Sequence, residues 1–382
     1  MEVNRNEMEK ARINARQLFA LIMLFEFGTA LVVPIGFKYA TGQQGVWLSI
    51  IAALFGGIAL FLVYDYLFRQ YPELPLSGYT RKILGKYIGW PLSLLYVPFF
   101  IYTAARDLRE AGDLLVTSVY DQTPLFVINA LMIIAVVYVL YKGIEVFART
   151  AEIFLMALIG LGVLGNLLVL FSGIIDVKNL FPLPGWKPIL MGAYPNIWMF
   201  PYGETICFTT IFPYLNKRQS GRKTGVIALI FSAILLSMTH ALEISVLGAD
   251  MYGRATFPLF VTISKVNIAD FLQRMDAIVI LTLIIGDFFK IAIYCYATVI
   301  VAADLFKVQK QQKLVFPIGI LVLFSSMMIA SNYSEHVEEG QPELKFFLPL
   351  FSAVIPVVLL VVHLIRKRFG LYRSNINTND KG

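Results

Sequence analysis

Ionisable residues inside otherwise apolar stretches mark where this chain can do chemistry. Glu26 and Glu204 each sit in an apolar run with no oppositely charged neighbour nearby in sequence. Asp287 and Lys290 share a third run, and Arg106, Asp107, Arg109, Glu110 and Asp113 crowd a fourth. His240 and Glu243 lie in a fifth. A charge held at membrane depth faces a protein interior or a wet path and is a functional candidate by default. Helical spacing pairs Arg106 with Glu110, Arg109 with Asp113, and Asp287 with Lys290, and such pairs can hold helices in register. Glu26 and Glu204 lack a local partner, which suits ion or proton coupling. Lys290 closing onto Glu204 would make a ligand-dependent gate.

Other chemistries are poorly served. The two cysteines, Cys207 and Cys295, lie in apolar runs and offer no disulfide framework. The three histidines, His240, His336 and His363, are scattered, and no spacing resembles a metal site or an activated nucleophile. No catalytic group and no cofactor site is expected.

The elements that position these residues follow from composition. The chain has 382 residues, of which 58% are hydrophobic and 15% charged. Soluble domains carry about 25% charge, so an integral membrane protein is expected rather than a soluble enzyme or a disordered chain. A span-length window finds ten apolar segments, at about 17–39, 45–68, 90–120, 124–142, 150–175, 195–215, 223–249, 275–305, 314–332 and 346–365. With both termini cytoplasmic, Lys and Arg favour the cytoplasmic side by roughly three to one. The net charge of +7 therefore reads as basic loops on one face of a bilayer, not as a nucleic-acid surface. The organisation is a cytoplasmic segment 1–16, a membrane domain 17–368 and a cytoplasmic tail 369–382. The connector 77–89 reads as either a basic surface helix or a polar loop. The acidic connector 333–345 reads as a solvated outer loop or a partner contact, and Asn166 as a helix–helix contact or a ligand group.

Two spans carry backbone breakers at mid-depth. The first reads Phe25-Glu26-Phe27-Gly28-Thr29-Ala30 with Pro34 and Gly36 beyond, and the sixth reads Phe200-Pro201-Tyr202-Gly203-Glu204. Proline removes a helical hydrogen bond and glycine loosens the helix. In hydrocarbon such a break survives only where it is buried in protein or lines a cavity. The two breaks are separated by close to half the chain length. The expected fold is therefore all-α, ten transmembrane helices in a five-plus-five inverted repeat with helices 1 and 6 broken and a small ligand near the midplane. A pair of ordinary proline kinks is the plainer alternative.

At these residues the chain resembles the B subunit of bacterial spore germinant receptors, within the amino acid/polyamine/organocation transporter superfamily. The matching stretches are Gly28 with Pro34 and Gly36; Arg106 through Thr123-Pro124; Gly143-Ile144-Glu145 with Ala148-Arg149 and Glu152; Phe200 to Glu204; Phe257-Pro258; and Arg274-Met275-Asp276 followed by Phe288-Phe289-Lys290. The first break departs from the family pattern, with Gly-Thr-Ala where relatives often place a second glycine. The resemblance implies a transporter-like nutrient sensor in the inner membrane of the spore, acting with a larger membrane A subunit and a lipoprotein C subunit. It implies a pocket built from Gly28, Thr29 and Ala30 of the first break and Phe200, Pro201, Tyr202, Gly203 and Glu204 of the sixth. Tyr102, Arg106, Asp287 and Lys290 on the third and eighth spans would complete that pocket. A proton- or sodium-coupled amino acid permease is the alternative, with Glu26 and Glu204 as coupling groups.

Overall fold

The structure, a computed structural model, describes residues 12–32, 43–266 and 276–369. Within them the chain is helical throughout, with one isolated bridge between Ile13 and Leu215. The helices are α1 (Ala15–Val32), α2 (Val46–Gln70), α3 (Leu76–Leu84), α4 (Lys86–Ser118), α5 (Leu125–Tyr141) and α6 (Ile144–Phe171). They continue as α7 (Trp186–Gly192), α8 (Ser220–Arg254), α9 (Pro258–Ser264), α10 (Asp276–Phe306), α11 (Gln312–Met328), α12 (Tyr333–Pro342) and α13 (Ile355–Arg368). Among the described residues, seven helices are long and apolar enough to cross a membrane, counting α12 to α13 as one rod. Two of the expected spans, α5 and α11, are shorter apolar helices. The residues Pro34, Gly36, Arg274 and Met275 lie outside the described residues, as do residues 1–11 and 370–382 of the two terminal segments.

Burial sorts the helices. α1 and α10 carry apolar side chains on every face and are the most enclosed, as expected of helices wrapped by others. α10 packs along α4 and α1, and α1 packs along α8. α5, α6 and α11 turn large apolar residues such as Leu131, Met156 and Met328 outward, which suits contact with lipid. Asn129 on α5 donates to Ser326 on α11 at 3.2 Å, an interhelical tie of the kind that apolar spans use. Asn166 makes no such tie, because its amide bonds the Gly162 carbonyl of its own helix.

Three sequence expectations change. The 77–89 connector is helical as α3, but Ser77, Tyr79, Thr80 and Ile83 are buried. It is a basic helix with one face packed on the protein, held by Arg81 to Asp304 at 2.5 Å, rather than a loop. Gly85 then turns the chain into α4 with φ of +84°, a conformation that only glycine adopts without strain. The 333–345 segment is not a solvated loop. It is α12 and the start of a π stretch, Glu343–Phe347, within the rod that runs to Arg368. Pro342, Pro349 and Pro356 each lack an amide proton, and wide turns accommodate those gaps. The sixth span also begins earlier than expected, at Trp186 rather than near 195.

Both expected breaks are present. α1 is kinked at Gly28, whose backbone is non-helical with φ −4° and ψ −127°. α7 continues through a π stretch, Ala193–Ile197, and the helix ends before Phe200-Pro201. A 3₁₀ segment, Tyr202–Thr210, follows.

Candidate functional site

Lys290 joins the two breaks. It projects from α10, is 0% exposed, and places Nζ 2.9 Å from Glu204 Oε2, just beyond the second break. Nζ also donates to Thr29 Oγ1 at 3.0 Å, just beyond the first break. Asp107 on α4 lies 3.4 Å from the same ammonium and accepts from Thr29 Oγ1 at 3.4 Å. The Phe200 ring centroid is 4.3 Å from Nζ, so an aromatic face covers the charge as well. One cation thus ties α1, α4 and the 3₁₀ segment together in a dry interior, where charge-assisted hydrogen bonds are strong.

The stem of Lys290 explains Gly28. A Cβ on Gly28 would sit 2.7 Å from Lys290 Cδ. From the other side, a Cβ on Gly286 of α10 would sit 2.9 Å from the Gly28 Cα. The two glycines let α1 and α10 touch backbone to backbone, and Gly286 is a site residue that spacing alone did not single out. Gly203 is roomier, with Met199 Sδ at 3.3 Å and Ser352 Cβ at 3.5 Å from such an atom.

Carbonyls freed at the breaks find side-chain donors. Tyr64 on α2 reaches the Ser352 carbonyl and, at 3.4 Å, the Gly203 carbonyl. His240 Nε2 lies 3.2 Å from the Ala30 carbonyl, and its Nδ1 lies 3.0 Å from Glu243. Burial without a partner is costly for a carbonyl, so these contacts hold the breaks in place.

The ion pairs read from helical spacing hold only in part. Arg109 pairs with Asp113 at 2.8 Å as expected. Arg106 forms its close ion pair at 2.5 Å with Glu343, which the rod from Tyr333 brings alongside, rather than with Glu110. Asp287 does not hydrogen-bond Lys290, whose ammonium points to Glu204, Thr29 and Asp107 instead. Both carboxylate oxygens of Asp287 and of Glu26 are buried without a hydrogen-bond partner among the described residues.

Beside Lys290 is a narrow cavity of about 30 Å³, enough for water but not for an amino acid. Of the sequence-expected residues, Arg106, Phe200 and Glu204 line it. Thr103, Asp107, Glu110, Gly340, Glu343, Leu344 and Leu348 complete the wall. Gly28, Thr29, Ala30, Tyr102, Pro201, Gly203, Asp287 and Lys290 do not line it. Tyr102 lies beside Arg106, its ring centroid 5.9 Å from the guanidinium carbon. Tyr202 is fully buried and turns its hydroxyl to the Ile50 carbonyl of α2 at 3.3 Å.

Comparison with known proteins adds the family. The profile described as "Spore germination protein" matches residues 12–334. "Spore germination protein KB" of Bacillus subtilis (strain 168) is 38% identical over 364 residues, covering 94% of this chain and 97% of that one. Among solved structures, Mhp1, a nucleobase-cation-symport-1 family transporter in a closed conformation with bromovinylhydantoin bound, aligns with a TM-score of 0.66. That alignment covers 98% of this chain and 85% of Mhp1 at 15% identity. MhsT in complex with L-phenylalanine aligns with a TM-score of 0.55 over 94% of this chain and 99% of MhsT, again at 15% identity. The two alignments show a shared transporter fold. A helical membrane chain with two broken helices, matched along most of its length by one profile, belongs to the spore germination protein family.

Proposed function

We propose that this chain is the nutrient-sensing membrane subunit of a spore germinant receptor, binding a small molecule, an amino acid in the first instance, between the breaks of its first and sixth helices. The observation that carries the reading is Lys290, which contacts residues just past both breaks at once. A ligand competing for those partners alters the relation of α1 to the sixth span, and that change can be passed to neighbours. In this reading Gly28, Thr29, Ala30, Phe200, Pro201, Tyr202, Gly203 and Glu204 shape the pocket floor. Tyr102, Arg106, Asp287 and Lys290 supply its wall. The ten helices form a five-plus-five inverted repeat across 17–368, in the inner spore membrane with both termini cytoplasmic. Partners are a larger membrane A subunit and a lipoprotein C subunit.

The test has two arms. Deleting the gene should abolish germination triggered by its nutrient, and the purified chain should be stabilised by that nutrient in a thermal-shift screen. Normal germination to every nutrient after deletion would refute the reading.

A second reading is a proton- or sodium-coupled amino acid transporter. The transporter fold and the unpartnered Glu26 carboxylate favour it. Robust uptake of an amino acid by vesicles containing this chain alone would establish it over a pure sensor.

A further inference from the structure

Arg106 holds an internal carboxylate in a cavity that also offers unused donors and acceptors. Its Nε lies 2.5 Å from Glu343 Oε2, with both side chains less than a tenth exposed. Its Nη2 donates to the His336 carbonyl at 3.2 Å, while Nη1 has no hydrogen-bond partner among the described residues. On the same helix Asp107 Oδ2 and Glu110 Oε1 are buried and equally unpartnered. Arg106, Asp107 and Glu110 all line the cavity beside Lys290. One unpartnered guanidinium nitrogen, with a second nitrogen held only by an exchangeable carboxylate, beside two open carboxyl oxygens is the complement of a zwitterion. A carboxylate fits the planar fork of arginine, and an ammonium needs several oxygen acceptors.

The cavity has no room for such a ligand as it stands. Something must leave, and Glu343 is the group whose chemistry matches a ligand carboxylate. It sits where α12 passes into the π stretch, directly after Pro342, in a stretch of rod short of amide hydrogen bonds. The same end of the rod is held by Arg109, which donates to the Ala330 carbonyl at 2.7 Å. Gly340 lies so close that a Cβ there would be 2.5 Å from Arg106 Nη2.

We propose that Glu343 stands in for the ligand on Arg106, and that a small zwitterionic amino acid takes its place, unlatching the 333–343 end of the last rod. This rests on the ligand-site reading above and narrows it: neutral sugars and nucleosides cannot make the exchange. Arg106 is then a recognition residue and Glu343 a competitor.

The test is thermal stabilisation of the full-length chain, purified in detergent, by three probes. These are a mixture of the L-amino acids, the same amino acids as methyl esters, and a mixture of sugars and nucleosides. Only the free amino acids should stabilise. Glu343→Gln should lower the half-saturating concentration by about tenfold, as expected if the latched state holds about nine molecules in ten. Arg106→Lys should abolish the effect. Gly340→Ala, which pushes the rod away from the guanidinium, should act in the same direction as Glu343→Gln and serves if that variant folds poorly. A purely structural clamp would instead make Glu343→Gln and Gly340→Ala weaken binding as Arg106→Lys does, and that result overturns the proposal. Equal stabilisation by the esters overturns it too. Stabilisation by sugars or nucleosides alone removes the zwitterion assignment and leaves the ligand site standing. No shift with any probe removes both.

Discussion

Lys290 Nζ lies 2.9 Å from the Glu204 carboxylate, and both side chains are almost wholly buried. The pair links the middle of α10 to the residue just past the second helix break. Thr29, just past the first break, shares the same ammonium at 3.0 Å. Lys290 therefore joins the two broken spans at their breaks, beside the ring contact of Phe25 with Phe208 at 5.3 Å.

Lys290→Met removes the shared cation and leaves Glu204 and Asp107 facing each other in a dry interior. Removing one partner of a buried pair costs about 3–5 kcal/mol. The variant should unfold at a lower temperature in detergent. Adding Glu204→Gln and Asp107→Asn to it should recover part of the loss, because the uncompensated charges go as well. A triple variant less stable than Lys290→Met would show that the carboxylates are held by something else.

The three glycines should rank by what an added methyl meets. At Gly286 it meets the Gly28 backbone, which cannot move aside. At Gly28 it meets the Lys290 stem, which can shift but loses its contacts. At Gly203 it meets the flexible end of Met199. Overpacking a dry contact costs about 1–3 kcal/mol. Thermal stability should fall most for Gly286→Ala, less for Gly28→Ala and least for Gly203→Ala. The response to nutrient should survive Gly203→Ala and be impaired by the other two. The reverse order would mean that α1 and α10 do not touch as described.

Tyr64→Phe deletes the donor that serves the Ser352 and Gly203 carbonyls. An unsatisfied buried acceptor costs about 1–3 kcal/mol. The variant should lose that much stability, and amide exchange should speed up in Tyr202–Thr210 before it does in α6. Unchanged exchange there would show that the hydroxyl is not what secures the second break.

Much of this architecture was legible in the residues. Gly28 and Phe200-Pro201 announce the breaks because glycine and proline act on the backbone locally. Lys290 and Glu204 stood out because charge in an apolar run is rare. What spacing could not supply was the partner chosen across the fold. Arg106 takes Glu343 rather than Glu110, because four-residue spacing describes one helix and says nothing of a rod packed beside it. The acidic run around Glu343 looks like a loop in sequence, since Glu335, Glu338 and Glu339 do remain exposed while Glu343 turns inward. Gly286 was missed because a glycine that permits backbone contact is identical, in sequence, to one that permits nothing. α3 was equally opaque: a short basic stretch has the same pattern whether its apolar face meets lipid or protein.

The most direct check is germination of spores carrying Glu204→Gln, with the abundance of the chain verified and a mixture of amino acids, sugars and nucleosides as the stimulus. The substitution keeps shape and removes the charge that Lys290 holds. If the junction of the two breaks is where nutrient acts, the half-saturating concentration should shift by at least about tenfold, the scale of one charge-assisted hydrogen bond. A dose-response curve identical to that of unaltered spores would contradict the account.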